Sequence, residues 1–329
     1  MLGWNLPSET SSESLELDLE STQNVTFRGF LNEGNTCFIN ATLQAFLHIL
    51  RLSDLTLEEA GPWSAAIRAI NMKHSSEETL FSPASTLLML LGGKAPFEIG
   101  VQGDAEEFLT AMLSGLHDEL KTKEEQSSDN DTWFEARKNR APAATRTFSD
   151  GKSPITHIFQ GKLRSLLKRR RQPDSITTEP FFVLPLEIPD GISCVRDALN
   201  LLTKTETIEN GTRQLTIDLL PPILIIQLKR FAFREGYMRK VSKEILIEQQ
   251  LVFTRNSLSP GRKETVYRLR AVVQHLGRSA DLGHYTAVLE NEDQLLYLVD
   301  DQNLEHISSL QNTQGSPYLL FYQRINTSL

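Results

Sequence analysis

Cysteine is almost missing from this chain of 329 residues, which has only Cys37 and Cys194. Two thiols cannot build the disulfide framework of a small secreted domain, so a reducing compartment is expected. With no CxxC pair, they cannot form a four-ligand zinc ribbon either. Long apolar runs are also lacking: stretches such as Leu87–Leu91 and Ile223–Ile226 are far too short to cross a bilayer. The segment Met1 to Glu20 has neither a basic n-region nor an apolar h-region, so no secretory signal is read there. Positive charge is in deficit. The 34 Lys and Arg against 42 Asp and Glu give a formal net charge of −8, which argues against nucleic acid as the main partner. These exclusions point to a protein of the cytosol, or of cytosol and nucleus, with no membrane segment.

What is present suits a soluble protein with a sizeable core: 40% of residues are hydrophobic and 23% charged. The length fits one elaborate domain or two small ones. Residues 1–24, rich in Ser, Thr and Glu, read as a flexible acidic lead. The alternation Leu15, Leu17, Leu19 within it would also suit an edge strand. Order is expected from Val25 to about residue 325.

From Cys37 to Leu50, Ile39, Leu43, Phe46, Leu47 and Leu50 recur at helical spacing. Short helices are expected over Trp63–Lys73 and Ala84–Leu91, the second announced by Ser82 as cap and Pro83 in the first turn. Asp104 opens an amphipathic helix running through Phe108, Met112, Leu113, Leu116 and Leu120, with Glu107 placed for a variant capping box. Residues 121–154 turn polar and lose periodicity, as an insertion or linker would. The basic run Lys168–Arg171 reads as a solvated loop tip. After Glu179 strands dominate: Phe181–Ile188, Gln214–Leu219, Ile223–Phe233, Glu244–Phe253, Val266–Leu276, His284–Glu290, Gln294–Val299 and Tyr318–Tyr322, with one helix at Val195–Thr203. Helices first and strands second make an α+β layout whose halves meet at a cleft.

Cys37 stands at the start of its helix, after the turn-forming run Asn32-Glu33-Gly34-Asn35-Thr36. Unpaired backbone N–H groups and the helix dipole favour a thiolate at such a place, and the amides of a tight turn can face a developing oxyanion. A buried structural cysteine would occupy the same position, so a base is needed. His48 and His117 lie inside helices, whereas His284 follows Gly283 and begins a strand. If Asn291-Glu292-Asp293 forms a three-residue hairpin loop, His284 lies opposite Asp300. A two-residue loop at Glu292-Asp293 would place it opposite Asp301. Either carboxylate could orient the imidazole and stabilise its charged form. Cys194 reads as structural.

The run Gly29-Phe30-Leu31-Asn32-Glu33-Gly34-Asn35-Thr36-Cys37-Phe38-Ile39-Asn40 closely resembles the cysteine box of the ubiquitin-specific proteases. Gly283-His284-Tyr285 with Tyr297-Leu298-Val299-Asp300-Asp301 is similar to that family's histidine box. Gln102-Gly103-Asp104-Ala105-Glu106-Glu107-Phe108 looks like its glutamine–aspartate box. Leu228-Lys229-Arg230-Phe231 and Tyr318-Leu319-Leu320-Phe321-Tyr322 match its palm strands. The boxes occur in family order over nearly the whole chain. The segments Ile158–Gly161 and Glu179–Leu186 resemble the fingers of a branch without zinc-binding CxxC pairs.

The resemblance implies a papain-like α+β fold: a helical thumb over about residues 29–120, a variable insertion at 121–154, and β fingers and palm over about 155–325. It implies a deubiquitinating thiol hydrolase whose partners are ubiquitin and ubiquitinated proteins. No metal or cofactor is implied, and a monomer is the expected state. Carried over position by position, Cys37 is the nucleophile, His284 the base and then acid, and Asp300 the residue orienting His284. Asn32 is the oxyanion donor, assisted by Asp301. Gln102, Asp104, Glu107, Gly283 and Tyr285 line the path of ubiquitin's C-terminal tail. One departure is Leu282, where the family usually has glycine. A narrowed slot there would suit the alternative of a silent ubiquitin-binding scaffold, and a protease for a ubiquitin-like modifier is a further alternative.

Overall fold

The structure, a computed structural model, describes residues 27–49, 61–76, 80–121, 132–136, 143–147, 151–234, 237–277 and 283–325, with the backbone alone at 132–136, 143–147, 232–234 and 237–239. The acidic lead, Leu50 and Leu282 lie outside the described residues.

Helix α1 (Cys37–Ile49) is buried at every position. Its apolar spacing announces a helix, but its polar side chains are buried too, and they are tied in by name. Thr42 Oγ1 donates to Phe38 O at 2.7 Å, and Gln44 Nε2 donates to Arg28 O at 2.5 Å. His48 Nε2 meets Glu290 O at 2.8 Å. Helices α2 (Pro62–Ser75), α3 (Pro83–Leu91) and α4 (Ala105–Leu120) pack beside it. Ser82 Oγ accepts from Ser85 N as the cap of α3, with Pro83 in the first turn as expected. Phe30, Phe38, Phe46, Ile67, Leu87 and Phe108 fill the space between the helices. Each such side chain, fully buried, contributes about 1.5–3 kcal/mol.

Strands β1 (Thr132–Ala136) and β2 (Ala143–Thr147) precede the short helix α5 (Pro154–Phe159), capped reciprocally by Ser153 and Thr156. The polar stretch 121–154 therefore contains strands, where lost periodicity suggested a linker. With β3 (Gly161–Arg169), β4 (Ser175–Phe181), β6 (Glu206–Ile208) and β7 (Gly211–Leu219) they form a six-stranded sheet in the order β1-β2-β4-β3-β7-β6. Lys168, Arg169, Arg170 and Arg171 are exposed at the tip joining β3 to β4.

The second sheet has eight strands: β5 (Val183–Leu186), β8 (Ile223–Leu228), β11 (Gln250–Phe253), β12 (Thr265–Leu276), β13 (His284–Glu290), β14 (Leu296–Asp300), β15 (Asn303–Ile307) and β16 (Ser316–Ile325). The run expected as one strand over Ile223–Phe233 breaks after Leu228, and β9 (Phe231–Arg234) pairs instead with β10 (Tyr237–Lys240). Successive strand residues face opposite sides. Ile223, Ile225, Tyr285, Ala287, Leu289 and Phe321 join the core around α1. Leu224, Ile226, Val288, Leu320 and Tyr322 join a second core under helix α6 (Val195–Leu202). Covered on both faces, this sheet is a stiff support for what lies at the ends of β13 and β14.

Candidate active site

Cys37, 2% exposed, is the first residue of α1. The turn before it reverses through two left-handed residues, Gly34 at φ 102° and Asn35 at φ 53°. The Asn32 side chain braces this turn: its Oδ1 accepts from Gly34 N at 3.0 Å, Thr36 N at 3.1 Å and Thr36 Oγ1 at 3.0 Å. On the other flank, Gln102 Nε2 lies 3.9 Å from Cys37 Sγ as a donor. The sulfur is thus bordered by the Gln102 amide, a donor able to meet a developing negative charge.

His284 opens β13 and reaches Asp300 at the end of β14, Nε2 to Oδ1 at 2.5 Å. That leaves Nδ1 as the ring nitrogen for Cys37. The hydrogen bond to Cys37 is the main cause that raises the pKa of His284 to about 9. Burial opposes it, and the Asp300 carboxylate adds to the rise. Such a histidine holds its proton beside the sulfur and can release it later to a leaving amine.

The hairpin does not pair in either register expected from the sequence. Ala287 lies opposite Val299 and Glu290 opposite Leu296, so His284 faces the position of Gln302 and reaches Asp300 diagonally. The loop is Glu292-Asp293-Gln294, one residue later than expected. Gln294 takes the left-handed φ of 66° that glycine usually supplies, and Asn291 N donates to Leu295 O at 2.9 Å.

Asp301 has a separate task. Its Oδ2 accepts from Asn32 Nδ2 at 2.9 Å, and its Oδ1 from Asn40 Nδ2 at 2.8 Å. It stands 4.0 Å from His284 Nε2. The backbone holds it there. Asp301 has φ 49°, its carbonyl accepts from Phe30 N at 2.8 Å, and Gly29 runs so close that an added Cβ would lie 2.4 Å from Asp301 O. The sequence reading missed Asn40. The available signal was an asparagine three residues after Cys37 on a helix with apolar residues around it.

Asp104 caps α4, its Oδ1 accepting from Glu106 N at 2.7 Å and Glu107 N at 3.3 Å. It also accepts from Tyr318 Oη at 2.8 Å and Tyr285 Oη at 3.4 Å, tying the helices to the large sheet. Burial, reinforced by Asp104, pushes both phenols up. Tyr285 is 1% exposed, so its ring belongs to this tie and is not open to a ligand in the described arrangement. Glu107 and Gly283 are exposed. Cys37, His284, Asp300, Asp301, Asn32 and Gln102 therefore share one site, with Asp104 and Tyr285 behind it. Among the described residues, His284, Asp300 and Asp301 are the one group with ligand atoms within 4.8 Å of one another. Those atoms are already engaged with each other and with Asn32 and Asn40, so no resident metal is assigned there.

The family model described as ubiquitin carboxyl-terminal hydrolase matches residues 28–322. Ubiquitin carboxyl-terminal hydrolase 10 of Xenopus tropicalis is 30% identical over 382 residues, spanning 91% of this chain and 48% of the relative. The chain thus spans about half the length of that relative. The probable ubiquitin carboxyl-terminal hydrolase 3 of Schizosaccharomyces pombe is also 30% identical, over 95% of this chain and 77% of its own. Among solved structures, the SAGA Ubp8/Sgf11/Sus1/Sgf73 DUB module bound to ubiquitin aldehyde matches with a TM-score of 0.74 at 21% identity. That match covers 91% of this chain and 70% of the other, and it speaks for the fold.

Proposed function

Because the chain belongs to the ubiquitin carboxyl-terminal hydrolase family, we propose that it is a cysteine-type deubiquitinase, cleaving isopeptide or peptide bonds after ubiquitin's C-terminal glycine. The observation that carries this is the constellation itself: Cys37 on a helix start, His284 paired with it, Asp300 on the far ring nitrogen, Gln102 beside the sulfur, and Asn32 bracing the turn before it.

The steps follow from those positions. The Cys37 thiolate attacks the carbonyl of the terminal glycine. The oxyanion is met by the amide of Asn32 and the N–H of Cys37, donors fixed before the charge appears. Imidazolium His284 gives its proton to the departing amine, leaving a thioester. The neutral imidazole then takes a proton from water, whose attack releases the carboxylate and restores the thiol. Asp300 holds the ring in one orientation through both halves. Every group used is a side chain or backbone N–H of this chain. Glu107, exposed in the first turn of α4, would suit a basic tail, while the Asp104 carboxylate is taken up by the helix cap and the two tyrosines.

Ubiquitin bearing a C-terminal thiol-reactive electrophile tests the reading. A covalent adduct mapping to Cys37, absent in Cys37→Ser, is expected. Ubiquitin bound without any adduct would mean a silent scaffold. An adduct with a ubiquitin-like protein in place of ubiquitin would mean a different modifier.

A further inference from the structure

Strand β12 ends in Gln274-His275-Leu276, with Gly277 next. On its inward face His275 follows Ala271 and Val273, a polar residue where the pattern calls for an apolar one. The side chain is 0% exposed, and among the described residues neither ring nitrogen has a hydrogen-bond partner. Leaving buried polar atoms unpaired destabilises a fold, so the imidazole is kept for some other reason. Its surroundings supply one. Phe231 and Tyr285 meet the ring edge-on at 5.2 and 4.8 Å. Gly283 also lies against the ring: an added Cβ there would lie 2.1 Å from His275 Nε2 and 2.4 Å from Leu276 O. The nitrogen edge of the ring therefore lies against the residue immediately before His284.

Two further features make this a rigid contact. Lys240 Nζ donates to His275 O at 2.7 Å and to Gly277 O at 2.9 Å, pinning the end of β12. Leu276 pairs with His284 across the ladder, so the two histidines sit on adjacent rungs. Burial, with the cations Lys240 and His284 nearby, lowers the pKa of His275 to about 4, which keeps the ring neutral.

We propose that His275 is a positioning residue for the catalytic pair, its ring edge setting the backbone at Gly283 and so the direction in which His284 meets Cys37. This rests on the thiol-hydrolase reading above. A neutral imidazole can turn a nitrogen without hydrogen towards Gly283 and approach nearer than the C–H edge of a phenyl ring of similar outline, gaining a weak Cα–H contact. The unpaired nitrogens are then stability relinquished for geometry at a functional site.

The test is His275→Phe. If the ring were only filling the core, removing two unpaired nitrogens would raise the melting temperature and leave turnover alone. Positioning predicts a melting temperature unchanged or higher while kcat on a ubiquitin C-terminal fluorogenic amide falls about tenfold or more, since a small misplacement of a catalytic group is costly. KM should stay within about threefold. A second arm needs no ubiquitin: the pH profile of Cys37 alkylation by iodoacetamide should shift, because it reads the Cys37–His284 pair directly. Wild-type kcat in His275→Phe, a loss confined to KM, or slow turnover with an unshifted alkylation profile would each overturn the proposal. Should His275→Phe not fold, Lys240→Met unpins the same strand end from the surface. It should also lower kcat and shift the profile, and no change in either would overturn the proposal. A wild-type enzyme that labels with iodoacetamide but never turns over ubiquitin would refute the functional reading alone.

Discussion

Two adjacent carboxylates, Asp300 and Asp301, divide the labour at this site. Asp300 takes the outer nitrogen of His284, and its side chain is 44% exposed. Asp301 is 16% exposed and spends both oxygens on amides, one from Asn32 and one from Asn40. Its substitution should therefore act through the oxyanion donor. Asp301→Ala is expected to lower kcat about 10²-fold with little change in KM, the scale of losing one oxyanion-hole donor. Asn32→Ala should cost a similar factor, and the double variant should be scarcely worse than either single one. Steady-state kinetics of the three variants decide the matter; losses that multiply would show that Asp301 acts independently of Asn32. Cys37 and His284 were legible in the sequence because their neighbours in the chain form contiguous boxes. The part played by Asn40 was not, since its carboxylate partner is 261 positions away and only the fold brings them together.

Among the elements, the turn between β14 and β15 carries the acid pair, and Gly29 is what lets it sit where it does. An added Cβ would lie 2.4 Å from Asp301 O and 2.4 Å from Gln302 Cα, backbone atoms that no side-chain rotation can move. Gly29→Ala must push the segment or the turn aside and weaken the Phe30 N–H bond to Asp301 O. A loss of about 1–3 kcal/mol is expected from such overpacking. Because the turn holds both carboxylates, kcat should fall as well. Gly93→Ala, where none of the described residues lies within 4 Å of an added Cβ, is the control and should change stability by no more than about 0.5 kcal/mol. Thermal melts and turnover on the two variants test this, and equal behaviour would contradict it. The long helices and inward strands were readable from their apolar periods. The fingers strands were not: β3 is half-buried at most positions and ends in exposed basic residues, so it shows no alternation of apolar and polar. The hairpin register failed for a different reason. A glutamine in a left-handed conformation gives no warning in sequence that it is closing a turn.

For the whole molecule, histidine burial couples the site to stability. The α+β order was plain in the sequence, but α1 enclosed by helices and sheet places His48 in an interior that its helical position alone did not reveal. Burial lowers the pKa of His48 to about 4, with Arg270 adding to it, while the bond to Cys37 lifts that of His284 to about 9. The signs follow from which state binds more protons. Charged His284 stabilises the fold fully below the unfolded value near 6.5, and that contribution fades as pH climbs towards 9. His48 and His275 are neutral when folded yet protonate in the unfolded chain below 6.5, so falling pH removes stability on that side. The melting temperature should pass through a maximum near pH 6.5, with the acid limb read down to about pH 5 before most carboxylates titrate. Turnover should persist higher and decline above about pH 9 as His284 loses the proton that the leaving amine needs. Cys37→Ala separates the two limbs. Without the sulfur, the main cause of the raised pKa is gone, and the alkaline limb should flatten while the acid limb stays. An alkaline limb unchanged in Cys37→Ala would mean that the loss of stability there comes from groups other than the catalytic pair.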